Sequence, residues 1–162
     1  MPERSTLERA RRDKREGKSA STQAGEFVRE EIEHIREGKH GARSTKQAIA
    51  IGLSKARRAG VKVQPSDDTP AETRRKARKD LEAGEHPHKP AAKRSRATKK
   101  ALKKEGTRAA SKTALSKQAK KAAGKRTAGE RSAAAKKAAR TKGAAGRKAA
   151  AKKAARTRKR EG

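Results

Sequence analysis

The chain contains no cysteine, tryptophan, tyrosine or asparagine, and Phe27 is its single aromatic residue. Without cysteine there are no disulfides and no thiolate metal sites, and cysteine usage says nothing of the redox compartment. Without Trp or Tyr there is no platform on which unstacked bases could stack, and Phe27 is better used in a core. The absence of Asn, and the presence of few Gln (Gln23, Gln47, Gln64, Gln118), removes most of the side chains that read adenine edges in the major groove. No segment approaches the roughly 18 consecutive apolar residues of a membrane span. The first residues, MPERSTLERARRDKREG, hold no apolar run that could serve a secretory signal, so a cytoplasmic location is expected. Large apolar residues are scarce and cluster: Phe27, Val28, Ile32, Ile35, Ile49, Ile51, Leu53, Val61 and Val63, with Met1, Leu7, Leu81, Leu102 and Leu115 outside. One small core is the most such a chain should build.

Charge fills the space that apolar residues leave. Lys and Arg number 49 against 18 Asp and Glu, a net charge of +31 in 162 residues. The excess is uneven: from Ala91 onward there are 27 basic and 3 acidic residues, against 22 and 15 before it. Within this basic region a single unit recurs at an interval of 16 residues: AKKAAGKRTAGERSAA (119–134), AKKAARTKGAAGRKAA (135–150) and AKKAARTRKREG (151–162). The doublets Lys120/Lys121, Lys136/Lys137 and Lys152/Lys153 keep register, and Arg131 returns as Arg147. A repeat that cannot bury apolar surface, and that is this cationic, points to a polyanionic partner.

Four segments follow from composition and periodicity. Residues 1–20 alternate charges around the lone Leu7 and predict a mobile, solvated helix with Glu–Arg pairs worth a few tenths of a kcal/mol each. Residues 21–66 predict a helical hairpin. Its first helix, about 23–37, places Ala24, Phe27, Val28, Ile32 and Ile35 within about 140° of the wheel, capped by Ser21 or Thr22 and closed by Gly38. Glu31 intrudes on that stripe. The second helix opens at Ser44 with Gln47 three residues on, and closes at Gly60. Its stripe of Ala48, Ile49, Gly52, Leu53 and Ala56 is small enough for another backbone to approach, and Val61-Lys-Val63 should form a strap over Ile51. Residues 67–90 read as a spacer helix and linker, with Thr69 as cap, Pro70 as first helical residue and Glu72 completing a capping box. Residues 91–162 read as a low-complexity basic Ala/Lys/Arg tail of transient helices. The fold class expected is therefore mostly α with extensive disorder around one small two-helix hairpin, which self-association would help to stabilise.

The run Arg43 to Gly60, RSTKQAIAIGLSKARRAG, resembles the segment that marks a family of small, uncharacterised bacterial proteins that often carry Lys/Ala-rich tails. That resemblance implies a small helical module and no site residues. The tail in turn resembles those of histone H1-like and bacterial nucleoid proteins, which implies DNA as partner and the nucleoid as location.

The residues expected to carry function are Lys120, Lys121, Lys125, Arg126, Arg131, Lys136, Lys137, Arg140, Arg147, Lys148, Lys152, Lys153, Arg156, Arg158, Lys159 and Arg160. Lys55, Arg57 and Arg58 form a secondary basic edge on the second hairpin helix. On a helix Lys136, Lys137 and Arg140 lie within about 100° of one another, and a 16-residue step turns a continuous helix by about 160°, so Gly124, Gly129, Gly143 and Gly146 are expected to reorient successive faces. Glu30, Glu31, Glu33 and Glu37 crowd the first hairpin helix, where a solvated face is expected, with docking of the chain's own tail as a lesser alternative. The histidines His34, His40, His86 and His88 show no recognisable metal-ligand spacing, and no phosphate loop or catalytic motif occurs, so neither enzyme activity nor a cofactor or metal is expected. Double-stranded DNA ranks first as partner, bound without sequence specificity through its phosphates; RNA or ribosome association, or a protein-interaction module localised by its tail, is the alternative. Alanine opposite the cations inserts poorly into lipid, so no membrane partner is expected.

Overall fold

The computed structural model describes residues 2–66, 69–86 and 91–161, and helix makes up 78% of it in seven helices and a short 3-10 turn. This overturns the expected two-helix module with extensive disorder. Two physical reasons stand behind the correction. Flanking segments dock on the hairpin through small residues and buried polar links that apolar periodicity does not register, and alanine outweighs charge repulsion in the basic repeat.

The chain divides into two compact units, Met1–Gln118 and Ala119–Gly162. At the centre of the first, α2 (Ala20–Arg36) packs along α3 (Thr45–Arg58). Ser19 rather than Ser21 or Thr22 caps α2, its hydroxyl accepting from the Thr22 amide. Gly38, at φ +72°, ends it. Ser44 caps α3 through the Gln47 amide at 3.2 Å, as its sequence predicts. The stripe of small residues on α3 does what its composition suggests: Ala48, Gly52 and Ala56 are buried, and a Cβ at Gly52 would stand 2.6 Å from the Val28 Cα. Backbone therefore meets backbone there.

Two apolar clusters flank this contact. One gathers Ile32, Ile35, Ala42, Ala48, Ala109 and Ala110, with Val28 and Leu115 against it. The other gathers Ala10, Ala24, Phe27, Ala56 and Val61, with Leu7, Ala20, Leu53 and Val63. Val61 and Val63 thus pack with Phe27, not over Ile51.

Three further elements close the first unit. α1 (Arg4–Arg15) packs on α2 rather than remaining solvated, burying Thr6, Ala10 and Asp13. Asp13 receives Lys18 Nζ at 2.8 Å and Arg9 Nε donates to Glu26 Oε2 at 2.5 Å, so its charges pair across elements instead of only along the helix. α4 (Ala71–Glu85) lies against α3, burying Ala77 and Asp80, so it is not a free spacer. Its expected capping box does not form: Pro70 occupies the cap position and the Thr69 hydroxyl pairs with Ser66 at 3.1 Å. Within the chain break expected over residues 85–90, α4 ends at Glu85 with His86 at its cap position, and residues 87–90 lie outside the described residues.

The start of the basic region also belongs to this fold. After α5 (Ala92–Lys103), the Gly41 amide donates to Leu102 O at 2.9 Å and the Ala42 amide to Gly106 O at 3.1 Å. The 3-10 turn Arg108–Ala110 then buries Ala109 and Ala110, and the Thr45 hydroxyl donates to Ala109 O at 2.7 Å inside the core. Arg36 Nε donates to Ala110 O at 2.9 Å. α6 (Lys112–Gly124) begins with its Ser111 hydroxyl accepting from the Ala114 amide.

The second unit begins at the residue where the 16-residue repeat begins, and it is dominated by α7 (Ala128–Glu161). Thr127 and Glu130 make a reciprocal capping box: the Glu130 amide donates to the Thr127 hydroxyl at 3.2 Å and the Thr127 amide to Glu130 Oε2 at 2.7 Å. Four like-charged pairs, Lys136/Arg140, Lys148/Lys152, Lys152/Arg156 and Arg156/Arg160, oppose helix by roughly 0.2–0.5 kcal/mol each. Each alanine favours it by up to about 0.7 kcal/mol over poorer helix formers, and alanines far outnumber those pairs. At Gly143 (φ 65°, ψ 173°) the helix leaves helical geometry, and Arg147 Nη1 donates to Ala139 O at 2.7 Å across the kink.

Candidate nucleic-acid interface

A polyanion can be held only by cations that the fold leaves exposed and unpaired. In the second unit this condition is met throughout. Every lysine and arginine from Lys120 to Arg160 is exposed, and among the described residues none forms an ion pair. Arg131 and Arg147 each donate one guanidinium hydrogen to a backbone oxygen, Arg126 O and Ala139 O, which leaves the remaining donors free. Lys142, exposed and adjacent to the Gly143 kink, belongs with these cations although the repeat pattern did not single it out.

The kink arranges the cations. Lys136, Lys137 and Arg140 precede Gly143, while Lys152, Lys153 and Arg156 follow it. An unbroken helix would turn those two clusters by about 160°. The non-helical backbone at Gly143 removes that constraint, as the sequence suggested for this glycine. Gly124 ends α6, whereas Gly129 and Gly146 lie within α7.

The basic edge expected on α3 is arranged otherwise. Lys55 Nζ lies 2.5 Å from Glu31 Oε2 and 3.5 Å from Glu30 Oε1. Arg57 is buried and its Nε donates to Val63 O at 2.9 Å; burial away from water holds its guanidinium below the ordinary arginine value. Arg58 pairs with Asp80 at 2.7 Å. Lys55 and Arg57 are thus engaged within the fold, whereas Arg58, paired with Asp80, keeps an exposed side chain.

Of the carboxylates expected to form a solvated face, Glu33 and Glu37 stay accessible to solvent, whereas Glu30 and Glu31 do not. Glu30 and Glu31 are almost completely buried, and the Glu3 amide donates to Glu30 Oε2 at 3.0 Å. Glu33 pairs with Arg29 at 3.0 Å and Glu37 with Lys39 at 2.8 Å. Glu31, His34 and His40 converge, with a donor atom from each lying within 4.8 Å of the others. His86 caps the end of α4, and His88 lies outside the described residues.

Among the described residues no helix is long and apolar enough to cross a membrane. Residues 11–67 match the model of a family of unknown function (DUF6496), which spans α2, α3 and the last five residues of α1 and contains the Arg43–Gly60 run. No curated protein and no solved structure matches the chain.

Proposed function

We propose that this chain is a non-enzymatic DNA-binding protein, histone H1-like or nucleoid-associated, which neutralises and bridges duplex DNA through the phosphate backbone with its second unit. The observation that carries the reading is the continuous series of exposed, unpaired cations from Lys120 to Arg160. Residues 119–162 hold 17 of them against 2 carboxylates, and one of those, Glu130, is engaged with Thr127 at the start of α7. Helix gives the cations regular spacing, and the Gly143 kink lets two clusters address different stretches of backbone. With no aromatic platform in the chain, contacts to phosphates and not to bases supply the affinity.

Because each phosphate contact releases a counterion, salt dependence reads out the mechanism directly. Simultaneous neutralisation of about eight phosphates gives a slope of log K against log salt near −7 on duplex DNA. The test is a salt titration with random duplex DNA and with structured RNA, on the full chain and on a full-length variant whose Lys and Arg at 120–160 are changed to Gln. The expected result is a steep slope for the full chain and a slope near zero, with little affinity, for the variant. Retained affinity in the variant, or clear preference for structured RNA, overturns the assignment.

A further inference from the structure

The arrangement around Glu31 joins elements distant in sequence at a buried ionic centre that its own groups leave electrically and geometrically incomplete. Glu31 has no solvent exposure as a residue, and Glu30 is 2% exposed. Together they bring two carboxylates into the protein interior, and Lys55, whose ammonium reaches both, supplies one positive charge. Both Glu31 oxygens and Glu30 Oε1 receive no hydrogen bond of acceptable geometry, although ion-pair partners lie within reach. Such orphaned oxygens in a dry site are costly, and a native fold does not ordinarily keep them so.

The two histidines show what completes the site. His40 Nδ1 lies 3.1 Å from the Gly41 carbonyl oxygen, which can only accept, so Nδ1 carries a hydrogen. In the neutral ring the lone pair is then on Nε2, and Nε2 stands 3.1 Å from Glu31 Oε1, another lone pair. Two acceptors facing each other at that distance require a positive centre between or beside them. His34 repeats the pattern: its Nε2 donates to Glu3 Oε1 at 2.8 Å, which leaves Nδ1 as its lone-pair atom. A ring fixed by an N–H given to a carboxylate or a backbone carbonyl, with the other nitrogen left bare, is how metal-binding histidines are oriented. The rings stand edge to face with centroids 6.2 Å apart.

We propose that Glu31, His34 and His40 bind one divalent transition-metal ion, with Glu3 orienting His34 and the Gly41 carbonyl orienting His40. Two imidazoles and one carboxylate select a borderline cation such as Zn²⁺ over Mg²⁺ or Ca²⁺, which favour all-oxygen sites. Three protein ligands leave a fourth position for water. Glu31 and His34 are one helical turn apart on α2 and His40 lies in the loop after it, so the ion clasps that loop to the helix and, through Glu3, fixes the segment that leads into α1. Its charge offsets the second buried carboxylate.

The probe is Zn²⁺ alone, added to chelator-stripped full-length protein at neutral pH and followed by equilibrium dialysis, with Co²⁺ substituted for absorption spectra. The expected results are one Zn²⁺ per chain, a melting temperature raised by Zn²⁺ and returned by chelator, and Co²⁺ d–d bands of a low-coordinate N/O site. His40→Gln and Glu31→Gln should abolish stoichiometric binding, and Glu3→Gln should weaken it 10- to 100-fold, as loss of an orienting group does. Because Glu31→Gln alters a buried centre, ¹⁵N spectra of the unaltered protein provide a test independent of folding: Zn²⁺ must shift the ring nitrogens of His34 and His40 and leave His86 unmoved. Absence of stoichiometric Zn²⁺, undiminished binding in a His34→Gln/His40→Gln variant, or shifts at His86 alone each overturn the proposal.

Discussion

The contact between α2 and α3 depends on Gly52, and two glycine substitutions in neighbouring helices make that dependence measurable. In a solvent-exposed helix interior Gly→Ala gains roughly 0.5–1 kcal/mol, because alanine loses less backbone freedom on folding. Gly25, within α2, meets that condition: a Cβ there encounters nothing within 4 Å. At Gly52 the same Cβ would lie 2.6 Å from Val28 Cα and 2.9 Å from Val28 N. These are backbone atoms and cannot rotate away, so the helices must separate by about 1 Å, and a gap of that size forfeits a quarter to a half of each van der Waals well along the seam. Overpacking of this kind costs about 1–3 kcal/mol, and the propensity gain offsets part of it. Gly52→Ala should therefore destabilise the protein by up to about 2.5 kcal/mol, whereas Gly25→Ala stabilises it by up to about 1 kcal/mol. Urea unfolding followed by far-ultraviolet circular dichroism measures both. A Gly52→Ala protein at least as stable as the parent would show that the helices do not meet at this glycine.

Two further outcomes follow from the ionic structure. Lys55→Met leaves Glu30 and Glu31 buried without their ammonium, and removal of one partner from a buried pair costs about 3–5 kcal/mol; urea midpoints should fall accordingly, while DNA affinity of the folded variant stays within twofold of the parent, and a selective loss of DNA affinity instead would return Lys55 to the binding surface. The Thr127 amide and hydroxyl hold the Glu130 carboxyl below its usual range, with Arg126 contributing less. A lowered folded-state value means that its stabilisation of the α7 start is present at neutral pH and lost as the pH falls through that lowered value; protection of the Thr127 amide relative to its intrinsic exchange rate should fall only there, and protection unchanged down to strongly acid pH would refute the cap.

What the sequence made legible was whatever periodicity and capping chemistry encode locally. Ser44, Gly38 and Gly60 mark helix ends by their own side-chain or backbone character, and the Ala48/Gly52/Ala56 stripe announces a close approach by its lack of volume. The docking of α1, α4 and the 102–118 stretch was not legible because alanines and polar atoms make it. Ala109 and Ala110 sit in a run of Thr, Arg, Ala and Ser that looks like the rest of the tail, and the Thr45 to Ala109 bond is between residues 64 apart in sequence. Glu30 and Glu31 were misplaced for a related reason: Glu is read as a surface residue, and only the arrival of Lys55 and His40 from other elements makes burial of Glu31 tolerable. The Glu31 and His34 pair, one turn apart, was the local signal for the proposed metal centre, and it gains meaning only once the loop returns His40.

The two units handle charge in opposite ways, and this difference connects the fold to the proposed activity. In the first unit the described carboxylates, Glu82 excepted, are paired with cations of the same unit, from Glu3 with His34 and Lys39 to Asp80 with Arg58. Pairs so placed leave few acidic groups free to compete for lysines and arginines elsewhere. Had Glu30 and Glu31 formed an exposed face, they would have offered an internal substitute for phosphate and reduced the counterion release on which DNA binding depends. Their burial against Lys55, with the proposed metal ion balancing the remaining charge, removes that competition. Cations from Lys120 to Arg160 then face solvent with their counterions still to release. Breaking the buried centre should thus weaken DNA binding as well as stability once the carboxylates become exposed, and DNA affinity measured across the urea transition of Lys55→Met would reveal the coupling: affinity that falls in step with unfolding supports it, and affinity indifferent to unfolding refutes it.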